Sequence, residues 1–179
     1  MKRSLFAAAL AATALVSFEA GAQSSVTPKE VQFGVAAGAA LPMSDLADAV
    51  NTGFNGTVTL GFHPSMIPLG VRIDGAYNSF GAKGGGANVH FTSVTGNLVY
   101  SVPSDAVTPY LIGGAGWYNA AITITGFGTG SDNHFGWNLG GGIKMPLSGF
   151  ETFLEARYNQ VQGNGGSLKF IPITFGVMF

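Results

Sequence analysis

Hydrophobic and polar residues alternate along most of the chain with a period of two. Between residues 54 and 62, for example, phenylalanine, valine and leucine share one face, while asparagine and threonine share the other. Successive side chains of a β-strand point to opposite faces, so this alternation predicts strands rather than helices. Eight segments follow it, although the faces of the fifth are less distinct: 31–41, 53–62, 69–79, 89–101, 108–123, 134–145, 151–161 and 169–179.

The lengths of these segments favour a membrane protein. A strand needs about 9–11 residues to cross a bilayer at a tilt, whereas strands of globular proteins average about 5–6. The connections also alternate. Tight, proline-containing connections are predicted at 63–68, 102–106 and 146–149, and longer ones, mostly rich in glycine, asparagine and serine, at 42–52, 81–88, 125–133 and 162–168. Outer-membrane barrels have short periplasmic turns and longer external loops, so periplasmic termini place every long loop outside.

The chemistry of the two faces indicates which one meets lipid. One face carries valine, leucine, isoleucine and aromatic residues, and the other carries glycine, asparagine, threonine and most of the strand charges. Aromatic residues near the strand ends form two predicted interface levels, Phe33, Phe62, Tyr100 and Phe179 at one and Phe54, Tyr77, Phe135 and Tyr158 at the other. A soluble β-sandwich also alternates, but the long strands and the glycine-rich polar face favour an all-β, eight-stranded antiparallel up-and-down transmembrane β-barrel.

The composition excludes several other classes of protein. The 179 residues include 28 glycines and no cysteine, and only 9% are charged. A disulfide scaffold or a cysteine-ligated zinc domain is therefore excluded. A nucleic-acid partner is not expected at a net charge of −1. A disordered chain would be less apolar than 46% hydrophobic.

The first 22 residues have the features of a secretory signal peptide. Lys2 and Arg3 precede a mostly apolar stretch at 5–18, and the small residues 20–22 provide a cleavage site before Gln23. The alternative is an N-terminal membrane anchor. With cleavage, residues 23–179 form a single barrel domain in the bacterial outer membrane. The uncharged stretch between Asp105 and Asp132 contains proline and glycines, so it is not predicted to be a transmembrane helix.

The polar face carries a balanced set of charges inside the predicted barrel. Three are positive and three negative: Arg72, Asp74, Lys144, Glu151, Glu155 and Arg157. A turn at 146–149 would place Lys144 opposite Glu151 and Asn138 opposite Arg157. Because an eight-stranded barrel is just wide enough for side chains to fill it, and buried charges are tolerated in pairs, we expect a network that plugs the lumen. The alternative is a narrow channel lined by the same charges.

The C-terminal segment resembles a known assembly signal. Ile173, Phe175, Val177 and the terminal Phe179 alternate with other residues, as in the last strand of bacterial outer-membrane barrels. The blocks at 109–116 and 135–142 resemble the fifth and sixth strands of the small outer-membrane β-barrel domain family, which is akin to eight-stranded OmpA/OmpX-type barrels. The resemblance implies the fold, the compartment, outer-membrane lipid as surroundings and the barrel-assembly machinery as a partner during insertion. We also expect a monomer.

Other polar clusters do not predict a catalytic, cofactor or metal site. His134 lies near Ser131 and Asp132, as a hydrolytic triad would require, but on a glycine-rich loop, and His63 and His90 are expected to be ordinary polar residues. Residues 44–50 predict one helical turn with Ser44 as its N-cap. Asp45, Asp48 and Asn51 lack the spacing of a known calcium loop.

The sequence therefore favours a non-catalytic barrel with a structural, envelope-integrity or surface-interaction role. A narrow pore or conduit for small or hydrophobic solutes is the first alternative. A lipid-modifying outer-membrane enzyme is the second.

Overall fold

The chain folds into a closed barrel of eight strands. The computed structural model describes residues 31–64, 67–104, 107–163 and 166–179; the predicted signal peptide at 1–22 lies outside these residues. The strands are β1 (Val31–Met43), β2 (Gly53–Phe62), β3 (Leu69–Gly81), β4 (Ala87–Ser101), β5 (Thr108–Ile124), β6 (Gly128–Leu147), β7 (Phe150–Gly163) and β8 (Gly166–Met178). Each strand pairs antiparallel with the next and β8 closes onto β1, which confirms the predicted eight-stranded up-and-down architecture.

The outer surface is the apolar face of the alternation. Large side chains such as Leu111, Leu139 and Trp117 are more than half exposed on it. Their inward neighbours are buried and mostly small or polar. Two of the four aromatic residues predicted for the external level contact each other, with the ring centroids of Phe54 and Tyr77 5.8 Å apart. The apolar surplus of the composition therefore faces lipid, which is where a membrane barrel needs it.

Both described chain ends lie at one end of the barrel. The Phe179 amide donates to the Phe33 carbonyl at 2.7 Å, close to the start of β1. The β2–β3, β4–β5 and β6–β7 connections share this end, which we assign to the periplasm because bacterial barrels have their short turns there. No helix in the described part of the chain is long and apolar enough to span a membrane.

The predicted contrast between short and long connections is partly wrong. The segment at 125–133 is not a loop, because β6 begins at Gly128 and Ile124 pairs directly with it. Only residues 125–127 turn the chain, and Gly126 and Gly128 adopt positive φ angles of 87° and 101° that favour glycine. The backbone ladder continues through this segment, so the glycine-rich sequence here extends a hairpin instead of interrupting it.

The predicted register of the β6–β7 hairpin is also wrong. Leu147 pairs with Phe150, so the turn consists of only residues 148 and 149 rather than the predicted 146–149. Gly149 has a φ of 94°, which makes this two-residue turn possible. Lys144 therefore pairs with Phe153 and not Glu151, and Asn138 pairs with Asn159 and not Arg157. The register moves by two residues, so every side chain keeps its predicted face.

A short helix closes the external mouth. Helix α1 (Asp45–Ala49) follows β1, as predicted, but Ser44 makes no side-chain capping hydrogen bond and has a φ of 51°. The segment after α1 is fixed by its backbone to the external end of β3: the Asn51 backbone amide donates to the Gly81 carbonyl at 2.8 Å. Leu46 of the helix and Val50 beside it are buried in the barrel mouth.

Candidate functional site: the lumen of the barrel

The centre of the lumen contains four charged side chains in direct contact. Arg72 and Asp74 are two residues apart on β3, and Glu155 and Arg157 are two residues apart on β7, so each pair points inward from one strand. In a closed ring of eight strands, β3 and β7 lie opposite each other. The four side chains form what we call the central charge cluster.

Ion pairs of the central charge cluster cross the lumen. Arg72 Nη2 lies 2.7 Å from Glu155 Oε2, and Arg157 Nη1 lies 2.8 Å from Asp74 Oδ2. Each arginine also pairs with the acid on its own strand: Arg72 Nε is 3.0 Å from Asp74 Oδ1, and Arg157 contacts Glu155. All four residues are at least 92% buried and their charges sum to zero. The arrangement ties opposite walls of the barrel together.

Neutral polar groups complete the bonding of the two carboxylates. The Tyr110 hydroxyl donates to Glu155 at 2.8 Å. Asp74 accepts from Thr59 at 2.5 Å and from the Asn97 amide at 2.9 Å. Buried carboxylates are costly unless their oxygens are hydrogen-bonded, and these partners come from β2, β4 and β5 as well as from β3 and β7. Most of the barrel wall therefore contributes to one connected network.

The two remaining predicted charges lie closer to the periplasm and outside the central charge cluster. Lys144 is 92% buried, and its Nζ lies 5.5 Å from the centre of the Tyr110 ring. Glu151 is half-buried and accepts a hydrogen bond from Gln32 Nε2 at 2.8 Å. Lys144 and Glu151, although both are described, do not form an ion pair within 4.0 Å of each other. Four of the six predicted residues thus come together and two do not.

Glycines on β6 provide space for two inward-pointing tyrosines. A Cβ placed on Gly136 would lie 2.6 Å from the Tyr118 ring, and one on Gly142 would lie 2.6 Å from the Tyr110 hydroxyl. Contacts below 3.0 Å do not occur for real Cβ atoms, so the rings occupy the place of the absent side chains. The inward glycines of β6 therefore let the tyrosines reach the centre of the lumen.

An apolar cluster fills the lumen between the central charge cluster and the external mouth. Its centre is a trio of phenylalanine rings: the centroids of Phe80 and Phe170 are 5.7 Å apart and those of Phe91 and Phe170 are 5.1 Å apart. All three side chains are completely buried. We call these residues the external plug, together with the others packed around them, Ala40, Leu46, Val50, Tyr118 and Val161.

The external plug was not predicted from the sequence. The inward face was expected to be polar, yet the three phenylalanines are inward residues of β3, β4 and β8. The alternation already places these side chains inside the barrel: Phe91 lies on the same face of its strand as Ser93 and Asn97, and Phe80 on the same face as Arg72 and Asp74. A large apolar residue on an otherwise polar face indicates a local change in what that face contacts.

A small polar cavity separates the central charge cluster from the external plug. It has a volume of about 30 Å³ and is lined by residues that include Asp74, Arg157, Asn78 and Tyr118. This space is enough for a water molecule, which needs about 10–15 Å³ and several polar partners. The cavity is too small for a sugar or an amino acid.

The residues considered for catalysis do not form a triad. Ser131 and Asp132 lie on β6 and not on a loop, and since Ser131 and His134 are three residues apart, their side chains point to opposite faces. His134 Nε2 is 3.8 Å from Asp132 Oδ2, and the Asp132 side chain is 64% exposed. His90 instead contacts the Tyr77 hydroxyl at 2.8 Å on the outer surface. In the described residues, no three histidine, aspartate or glutamate side chains converge as a metal site would require.

His63 lies at the periplasmic mouth of the lumen. Its ring packs against Gly70, where a side chain would displace it. Burial, and after it the positive charge of Lys144, lowers the pKa of His63 below its ordinary value, although Glu151 opposes the shift. The neutral form is therefore favoured in the folded protein.

The residues of the predicted assembly signal face outward along β8 and immediately after it. Ile173, Phe175 and Phe179 are 42%, 54% and 43% exposed, and Val177 is half-buried on the same face. The strand that carries them closes the barrel against β1. Their side chains therefore form part of the lipid-facing surface.

Comparison with known proteins adds the family and the compartment. Solved structures similar to this chain include Neisserial surface protein A, with a TM-score of 0.70 and 16% identity over 84% of this chain and 96% of that one. Ail, the attachment invasion locus protein of Yersinia pestis, matches with a TM-score of 0.53 and 20% identity over 84% of this chain and all of that one. The N-terminal β-barrel domain of Pseudomonas aeruginosa OprF matches with a TM-score of 0.52 and 15% identity, over 83% and 97%.

These identities are low, so the likeness to solved structures establishes the fold alone. No curated protein sequence matches the chain. The family model described as "Outer membrane protein beta-barrel domain" matches residues 8–179, which is almost the whole chain. The chain thus belongs to the outer-membrane protein β-barrel domain family, and its place is the lipid of the bacterial outer membrane.

Proposed function

We propose that this protein is a closed, non-catalytic barrel that contributes to the integrity of the outer membrane. One observation carries the proposal: ion pairs of 2.7 and 2.8 Å cross the lumen between β3 and β7, and the external plug fills the space beyond them. Buried pairs with complete hydrogen bonding are costly to separate, because each partner would be left as an isolated charge. A lumen closed by the central charge cluster and by the external plug favours a structural role over the passage of solutes.

Passage of solutes is tested by reconstitution. The refolded chain is placed in liposomes, and the release of entrapped small sugars and amino acids is compared with that from protein-free liposomes. We expect equal release. Correct folding is checked in the same sample by gel mobility before and after boiling, since a folded barrel migrates differently from its denatured form. Rapid release by correctly folded protein would favour the narrow pore instead.

Absence of catalysis is proposed from the positions of the histidines. His134 lacks a serine on its own face of β6, and His90 contacts only a tyrosine hydroxyl among the polar side chains described. We expect expression of the protein, or of a His134→Ala variant, to leave the acylation pattern of lipid A unchanged. A change that depends on His134 would establish the enzyme.

A surface-interaction role has one feature in its favour. The β5–β6 hairpin extends to residues 125–127, and Phe127 at its tip is 91% exposed, with Ile122 and Ile124 about half exposed. Exposed apolar side chains on the external side are unusual unless they contact something. The test is binding of the purified protein to cell surfaces or extracellular matrix. Saturable binding that is lost when residues 125–127 are replaced by an Asn-Gly turn would support this role.

Insertion and assembly state are proposed from the C-terminal strand. We expect the barrel-assembly machinery to recognise Ile173, Phe175, Val177 and Phe179, because these lipid-facing residues lie on the strand that closes the barrel. Deletion of Phe179 should lower the amount of folded protein in cells more than it lowers refolding in detergent. Equal effects in both would contradict recognition. The protein is expected to sediment as a monomer in detergent.

A further inference from the structure

A buried lysine faces a small pocket at the periplasmic mouth. The pocket has a volume of about 10 Å³, and its lining includes Lys144, Gln32, His63 and Met178. It opens on the side opposite the external plug, since Gln32 and His63 belong to the periplasmic ends of β1 and the β2–β3 connection. This site is separate from the cavity above the central charge cluster.

Lys144 has no counter-ion in contact among the described residues. Its side chain is 92% buried, yet no carboxylate oxygen lies within 4.0 Å of Nζ, and its close contact is the face of Tyr110. The other buried cations, Arg72 and Arg157, each have two carboxylate partners. Buried charges are normally paired, because an isolated one loses its hydration without compensation.

The other polar groups around the pocket leave Lys144 as the principal donor available to an anion. His63 and Gln32 provide polar groups at the rim, and the Gln32 amide already donates to Glu151 at 2.8 Å. Arg72 reaches the pocket from inside, but its guanidinium is occupied by Asp74 and Glu155. Glu151 is an acidic side chain near this mouth; it accepts a hydrogen bond from Gln32, and it makes no ion pair with Lys144 within 4.0 Å.

We propose that this pocket binds one oxygen of a small oxoanion, a carboxylate or a phosphate, supplied from the periplasm, with Lys144 as the principal contact. The volume matches a single oxygen atom or water, so the rest of the anion remains in the open mouth. Lys144 donates to the anion, while the Tyr110 ring beneath it fixes the direction of the ammonium group.

The test uses the lysines themselves as reporters. Beyond the predicted signal peptide the chain has four, Lys29, Lys83, Lys144 and Lys169. The refolded protein with ¹³C at the lysine ε-carbon is studied by NMR in micelles and titrated separately with sodium acetate and with sodium phosphate. We expect the Lys144 signal to move along a saturating curve, while Lys83 and Lys169 on the external side move little. The separate titrations distinguish a carboxylate from a phosphate.

Variants separate binding from a general salt effect. Lys144→Gln should abolish the saturating response, and the matched Lys169→Gln should preserve it. Glu151→Gln should strengthen binding by about fivefold, because it removes the nearby like charge. If the Lys144 signal moves no more than those of Lys83 and Lys169, the proposal is wrong. It is also wrong if Glu151→Gln shifts the Lys144 signal strongly while added anions do not, since Glu151 is then the partner of Lys144 through water.

Discussion

Replacement of Glu155 by glutamine removes one charge from the centre of the lumen. Glu155 contacts both arginines of the central charge cluster and accepts from the Tyr110 hydroxyl. The substitution keeps the size of the side chain but leaves two buried positive charges facing one negative charge. Removing one partner of a buried ion pair costs about 3–5 kcal/mol. Because the glutamine oxygen still accepts hydrogen bonds, we expect a loss of unfolding free energy near the lower end, about 3 kcal/mol.

Urea unfolding of the refolded protein in lipid vesicles measures this loss. Trp117 on β5 is exposed on the outer surface, and Trp137 on β6 is partly exposed on the same face as Phe135 and Leu139, so their fluorescence reports departure from the membrane. The matched control is Glu151→Gln, which removes a half-buried carboxylate with one hydrogen-bond partner and should cost less than about 1 kcal/mol. The control keeps the change in net charge equal, so only the position differs.

A second substitution tests whether charge balance is the cause. Arg157→Gln alone should also be destabilising, but with Glu155→Gln it restores a neutral centre consisting of Arg72 and Asp74. We expect the double variant to be more stable than the sum of the single losses predicts, by at least about 1.5 kcal/mol. A cost below about 1 kcal/mol for Glu155→Gln, or strict additivity of the pair, would show that the central charge cluster does not stabilise the barrel through its charge balance.

Three further predictions concern packing and the lipid face. Gly136→Ala should destabilise the barrel by about 1–3 kcal/mol, because the new Cβ would lie 2.6 Å from the Tyr118 ring. The control Gly56→Ala, with no atom within 4 Å of its Cβ, should have little effect. Equal urea midpoints for the two variants would contradict this prediction. Phe170→Ala should lower the free energy of unfolding by about 3–5 kcal/mol, because it leaves a cavity in the external plug. Phe127→Ala at the exposed hairpin tip should change it hardly at all. A larger loss for Phe127→Ala than for Phe170→Ala would exclude the plug as a stabilising element. Leu139→Arg, on the lipid-facing surface, should cost about 2–4 kcal/mol in vesicles, and retention of wild-type stability would show that this residue does not contact the hydrocarbon.

The fold could be predicted from alternation because the two environments of a membrane barrel differ strongly. Lipid accepts only apolar side chains, so residues such as Leu111 and Leu139 reveal their face even without a structure. The same alternation placed Arg72, Asp74, Glu155 and Arg157 together in the lumen. A two-residue register error in the β6–β7 hairpin left this result intact, because side chains alternate with the same period.

Two features could not be derived from parity. The lengths of turns depend on single glycines with positive φ, such as Gly149, and a sequence pattern does not distinguish a turning glycine from one within a strand. The content of the lumen depends on which side chains meet across the barrel. Phe80 and Phe91 lie on the neighbouring strands β3 and β4, but Phe170 reaches them from β8, which is far away in sequence. Their contact is set by the stagger of the closed sheet, which alternation does not specify.

Electrical recording tests the closed lumen most directly. The refolded protein is inserted into a planar lipid bilayer, and the current is measured under an applied voltage, with folding verified by gel mobility. We expect no steady ionic conductance above that of the bare membrane, because the ion pairs cross the lumen and the external plug fills the space beyond them. A large, steady conductance in proportion to the number of inserted molecules would contradict it.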